Sequence, residues 1–156
     1  MKLMKLFSTF IFLASILVVI AGCSSSGPTD PRSAVISMFG AMEKNDQAAL
    51  AHLLDLPELM RSLNEDYALQ TDSPRVFINP IDLLNDLTGE GLTKTRWFSY
   101  QRIIGDTEVM GESATVEVTF VDKENSRGYL TKFGLHVVNG KWKIYSFKTF
   151  QDPSAE

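Results

Sequence analysis

Cys23 is the only cysteine of the 156 residues, and Ile20-Ala21-Gly22 before it close an apolar run that begins at Leu6. Lys2 and Lys5 precede that run as a short basic region, so residues 1–22 have the layout of a secretory signal segment with a small-residue processing site between Gly22 and Cys23. The other residues able to do chemistry are sparse. His52 and His136 are the only histidines, which, with a single cysteine, excludes a His- or Cys-rich metal site. No nucleophile triad and no glycine-rich phosphate loop can be read, and no cofactor is expected.

The four residues Ile20-Ala21-Gly22-Cys23 resemble the lipobox of bacterial lipoproteins. That resemblance implies cleavage before Cys23 and acylation of its thiol, palmitate included. Two or three acyl chains, at about 0.8 kcal/mol per buried CH₂, would hold a soluble domain on a membrane for long periods. Two other readings stay open. Leu6 to Gly22 is 17 residues, the lower limit for an uncut membrane-spanning anchor. An ordinary secretory peptide would leave a lone thiol in an oxidising compartment. Neither explains why the cysteine stands where it does. By resemblance to the sorting rule of bacteria with two membranes, Ser24 after the cysteine favours the outer membrane, facing the periplasm.

Lys2 and Lys5 leave with the segment, so residues 23–156 keep 13 basic against 19 acidic residues, a formal charge of −6. Nucleic acid, which needs a basic footprint, is a poor partner for such a surface. Residues 23–30 read as the lipidated cysteine and a polar tether, 31–150 as one domain, and 151–156 as a tail.

The elements of that domain are marked by caps and periods. Asp30-Pro31 starts a helix, with Ala34, Val35, Met38, Phe39 and Met42 on one face. Asn45 is expected to end it and cap a second, Asp46 to Asp55. Pro57 opens a third, carrying Leu59, Met60, Leu63 and Tyr67, and Ser73-Pro74 breaks the chain. Asn79-Pro80 starts a short turn with Ile81, Leu84 and Leu87, and Gly89-Glu90-Gly91 closes the helical half. From Trp97 the period becomes two: Phe98 to Met110, Ala114 to Phe120, Tyr129 to Val138 and Lys141 to Phe150 read as strands, the last two joined by the hairpin signal Asn139-Gly140. Helices first and an antiparallel meander afterwards predict an α+β domain, helices packed on a curved sheet of four or more strands.

Lys44-Asn45-Asp46-Gln47-Ala48-Ala49-Leu50, Gly111-Glu112-Ser113-Ala114-Thr115-Val116 and Asn139-Gly140-Lys141-Trp142-Lys143-Ile144 are similar to the nuclear-transport-factor-two-like superfamily, and within it to small lipoproteins with a lumazine-binding-like domain of unknown function. The resemblance implies a cystatin-like cone, often dimeric, with a cavity between sheet and helices. In this superfamily the cavity serves isomerases, dehydratases, ligand binders and interaction domains, so it names no activity.

A two-residue turn at Asn139-Gly140 would pair Val137 with Trp142, Leu135 with Ile144, Phe133 with Ser146 and Thr131 with Lys148. Matching apolar faces would pair Ala114 with Val137, Val116 with Leu135, Val118 with Phe133 and Phe120 with Thr131. A turn at Gly111-Glu112 pairs Val109 with Ala114 and Thr107 with Val116. Unbroken, that ladder would bury Gln101 and Ser99; one extra residue at Gly105-Asp106 instead sends Ile104, Arg102, Tyr100 and Phe98 inward. Arg102, Thr131 and Lys148, flanked by Tyr100 and Tyr129, then form a candidate cavity for a small anionic ligand, unless their stems simply snorkel. Glu58, Glu65 or Asp66 could answer Arg102. Tyr145, Phe147, Leu130 and Trp97 would stay outside as a homodimer face, unless a second bulge in the last strand turns Phe147 inward.

A cone-fold enzyme needs an inward acid or base. Every central inward position is apolar or hydroxylic, Glu117 and His136 fall outside, and Asp106 sits in the bulge. The expectation is therefore a lipid-anchored binding or scaffolding domain of the cell envelope, with an isomerase- or dehydratase-type enzyme as the alternative.

Overall fold

The computed structural model describes residues 27–69, 76–124 and 127–151. The signal segment, Gly22, Cys23, residues 24–26 of the tether, Ser73-Pro74 and residues 152–156 lie outside them. Five helices, α1 (Pro31–Glu43), α2 (Gln47–Leu53), α3 (Leu56–Leu69), α4 (Pro80–Asp86) and α5 (Leu92–Ser99), precede four strands, β1 (Gln101–Met110), β2 (Ser113–Val121), β3 (Gly128–Val138) and β4 (Lys141–Gln151). The strands form one antiparallel sheet in the order β1-β2-β3-β4. The domain is α+β, as its periods predict.

The caps explain where helices begin. Asp30 Oδ1 accepts from Ser33 N–H at 2.9 Å, and Pro31 fills the first turn, where its missing N–H costs nothing. Asn45 does not cap α2. Asp46 does, accepting from Ala49 N–H at 2.9 Å, while Asn45 takes φ 56° to turn the chain out of α1. Its carboxamide oxygen accepts instead from Gly89 N–H at 2.7 Å and from Lys94 Nζ, tying this turn to the α4–α5 loop. The apolar stripe of α1 (Ala34, Val35, Met38, Phe39, Met42) is buried on the sheet, each large side chain contributing about 2 kcal/mol through burial.

Helix α5 corrects the expectation that the helical half closes at Gly91 and a strand runs from Phe98. Thr93, Thr95 and Trp97 alternate like a strand, but Asp86 Oδ1 accepts from Leu92 and Thr93 N–H at 3.1 and 3.3 Å and caps a helix there. Gly91 makes this possible: a Cβ on it would lie 2.2 Å from the Asp86 carbonyl oxygen. The helix carries Trp97 into the core, where its ring meets Phe39, Phe120, Phe133 and Phe147 at centroid distances of 5.2–5.8 Å. β1 accordingly starts at Gln101.

The bulge in β1 stands where the sequence places it. Pairing runs Arg102–Phe120 and Ile104–Val118, skips at Gly105-Asp106, and resumes at Thr107–Val116 and Val109–Ala114. Arg32 of α1 donates to the exposed carbonyls of Gly105 and Ile104 at 2.6 and 3.0 Å and so satisfies the backbone the bulge frees.

Two registers differ from expectation. Between β2 and β3, Ala114 pairs with Leu135, Val116 with Phe133, Val118 with Thr131 and Phe120 with Tyr129, two residues from the expected partners. A two-residue slip keeps every side chain on its face, so alternation alone cannot tell the two registers apart. The tight closure by Asp122 N–H to the Arg127 carbonyl at 2.7 Å and the stacking of Tyr129 on Phe120 at 5.0 Å favour the observed one. Between β3 and β4, Val137–Trp142 and Leu135–Ile144 pair as expected. Tyr145 is then extra, and Gly134–Ser146, Phe133–Phe147, Lys132–Lys148 and Thr131–Thr149 follow. This second bulge buries Phe147 and sends Lys148 outward.

Candidate functional site

The five residues expected to share one cavity separate. Cys23 and Gly22 lie outside the described residues. Tyr100 and Tyr129 do meet, edge to face at 5.4 Å, and Thr131 is fully buried with its hydroxyl 3.2 Å from that of Thr149. Lys148 is exposed in the outer row beside Lys132, because the β4 bulge hands its inward place to Thr149.

Arg102 does point inward, but it is already occupied. Its guanidinium lies 3.9 Å from the Phe98 ring centroid and 5.4 Å from that of Phe39, and donates at 3.1 Å to the Trp97 carbonyl in the last turn of α5. Cations are favoured at that helix end, and two aromatic faces stand where Glu58, Glu65 or Asp66 could have supplied a carboxylate. Glu58 and Glu65 instead bind Arg61. Burial lowers the proton affinity of Arg102, opposed by the charge of Glu43.

The concavity itself lies further along the cone. A cavity of about 640 Å³ opens between α3, α4, α5 and the end of β4. Its apolar walls are Leu63, Phe77, Leu83, Leu87, Trp97 and Phe147; its polar groups include Asp66, Asp86, Thr93, Arg96 and Thr149, with Lys148 and Phe150 also bordering it. Of the five expected residues only Lys148 touches it. The volume falls in the range of small-molecule sites.

Arg96 is the residue that sequence reasoning missed, since it sits on the helix that alternation hides. Its guanidinium stands 4.9 Å from the Tyr129 ring centroid, the outermost layer of a stack that continues through Phe120 to Trp97. Burial raises the Tyr129 hydroxyl's pKa above the usual phenol value, with Arg96 pulling the other way. That hydroxyl is fully enclosed, with the Arg96 guanidinium as the charged group beside it. Asp86 spends one oxygen on the start of α5.

A second polar cluster stands at the sheet edge, away from the cavity. The Nε2–H of His136 donates to Asp55 Oδ2 at 2.9 Å, and Tyr145 stacks on the imidazole at 4.9 Å. Asp55 N–H also donates to the Ile144 carbonyl at 2.9 Å, so the α2–α3 junction covers the open edge of β4. Among the described residues no group of three His, Cys, Asp or Glu is placed to hold a metal ion.

No family model matches this chain, and no curated protein does. Solved structures do resemble it. The one named Rd1NTF2_05, with five substitutions, superposes with a TM-score of 0.51 over 76% of this chain and 95% of its own, at 12% identity. The fold is NTF2-like. A DUF4783 family protein from Bacteroides ovatus (TM-score 0.45, 10% identity, 74% of this chain and 93% of its own) and an NTF2-like protein of unknown function from Silicibacter pomeroyi (0.45, 14%, 77% and 91%) are similar over comparable spans. At such identities the likeness shows the fold alone and leaves any occupant of the cavity to the residues that line it.

Proposed function

We propose that this protein is a lipid-anchored binding domain of the bacterial cell envelope, attached through Cys23, that takes a small molecule into the cavity between α3, α4, α5 and β4. The observation that carries the binding reading is the cavity: about 640 Å³, with mixed polar and apolar walls. The anchoring reading rests on Ile20-Ala21-Gly22-Cys23 and the tether that follows. Binding is favoured over catalysis because the His136–Asp55 pair, the one histidine–carboxylate contact among the described residues, stands at the sheet edge, and Asp86 is engaged in helix capping.

Three experiments test this. Native mass spectrometry of residues 24–156 reads any ligand that survives purification, and a neutral naphthylamine dye reads the cavity directly. Fluorescence enhancement by the dye that Thr149→Trp abolishes, by filling the mouth, is the expected result; no enhancement overturns the binding reading. For the anchor, a palmitate analogue should label the full chain and fail to label Cys23→Ala. Equal labelling of both refutes lipidation.

Self-association through the outer sheet face is proposed on altered residues. Phe147 and Trp97 are buried and leave that face, whereas Ile103, Leu130 and Phe150 lie in one row across it with Thr119. Phe150→Glu is expected to convert a dimer to monomer in sedimentation; a wild-type monomer at high concentration refutes it.

A further inference from the structure

Two of the four charged side chains that border the cavity face it from different helices and have no partner in each other. Arg96 comes from α5 and Asp66 from α3, and both border the cavity. Helix α3 packs chiefly on β4 and also touches α4, while α5 packs on α4 and β1, so the cavity lies between their walls. Neither side chain makes an ion pair among the described residues, and Asp66 makes no hydrogen bond there. Arg96 lies over the Tyr129 ring at 4.9 Å. A guanidinium that makes no ion pair can bind a carboxylate through two of its five N–H groups in a bidentate fork. Asp86, the other carboxylate at the cavity, already accepts from the first N–H groups of α5.

We infer that the cavity recognises a zwitterion with an apolar body: its carboxylate on Arg96, its ammonium on Asp66, and its hydrocarbon against Leu63, Phe77, Leu87 and Trp97. This rests on the binding reading above and specifies its ligand. An anion alone would leave Asp66 facing it, and an amine alone would leave Arg96 doing so, and each like-charge approach is unfavourable. A zwitterion satisfies both groups and adds no net charge to an acidic domain.

Isothermal titration and thermal shift with four probes decide it. Phenylalanine and 6-aminohexanoate carry both charges at different spacings, while 3-phenylpropionate and phenethylamine carry one each. Expected is binding of at least one zwitterion ten-fold or more tighter than either single-charge probe. That advantage should be lost in Arg96→Gln and, separately, in Asp66→Asn. Tighter binding of 3-phenylpropionate, unaffected by Asp66→Asn, overturns the inference in favour of a simple anion. Loss in Lys148→Met but not in Arg96→Gln overturns the assignment of the carboxylate contact. The neutral dye separates the two levels: dye binding with no preference for zwitterions refutes this inference alone, and absence of dye binding refutes the cavity reading beneath it.

Discussion

Two bulges bend this sheet, and they differ in what holds them. The β1 bulge at Gly105-Asp106 is answered from outside the sheet, by Arg32 of α1 on the carbonyls of Ile104 and Gly105. The β4 bulge at Tyr145 is packed by side chains of the sheet itself, with Asp55 N–H on the Ile144 carbonyl beside it. The Tyr145 ring lies over Gly134, where an added Cβ would come within 3.1 Å of its Cζ, and stacks on His136, which reaches Asp55. A bulge on a solvent-facing edge needs only its freed carbonyls satisfied. One that swaps a phenylalanine into the core is tied to the packing of the whole domain.

The comparison breaks most directly at Phe147. If the β4 bulge places it inside, Phe147→Ala should cost about 3–4 kcal/mol, read as a lower urea midpoint; on the outer face the loss would stay within about 0.5 kcal/mol. Next comes Gly134→Val. Its Cβ would meet Ser146 Oγ at 2.3 Å as well as the Tyr145 ring, so a loss of about 2 kcal/mol is expected, and an unchanged midpoint would show that the ring does not lie there. Arg32→Met should cost about 1 kcal/mol, because two charge-assisted hydrogen bonds at an exposed site are lost while the stem remains. Amide exchange should quicken at the bulge and stay slow in β3. Smallest is His136→Phe, which keeps the stack on Tyr145 and removes the bond to Asp55; about 0.5–1 kcal/mol should go, with faster exchange of the Asp55 amide, which donates to Ile144. Equal protection of that amide in both proteins would show that the edge is held without the histidine.

The difference in cause also decided what could be read in advance. The β1 bulge was legible because the unbroken ladder would have buried Gln101 and Ser99 beside exposed aromatics, a conflict that one extra residue removes. The β4 strand offers no such conflict. Lys141 to Phe150 alternates acceptably either way, with Phe147 in or Lys148 in, and the second bulge stood only as the alternative to an outer Phe147. Its consequence reached the candidate site, since the inward place expected for Lys148 belongs to Thr149. Arg102 was placed inward correctly, yet the groups that occupy it, the Trp97 carbonyl and the rings of Phe98 and Phe39, depend on a helix the alternation concealed.

By itself the sequence determined the order of helices before strands, the caps at Asp30 and Asn79, the hairpin at Asn139-Gly140, the first bulge and the inner face of β2. Each of these is local: a side chain satisfying a nearby backbone group, or a period repeated over one element. The tertiary structure decided α5, the β2–β3 register, the β4 bulge and, through them, the cavity walls. Those depend on contacts between residues far apart in the chain. Asp86 starts a helix only once Gly91 lets the backbones close, Trp97 stays helical because four aromatic rings receive it, and Arg96 reaches the cavity because that helix exists. A period-two pattern is unchanged by a shift of two, and it does not record which face a bulge exchanges; only the packing of helices against the sheet breaks that degeneracy.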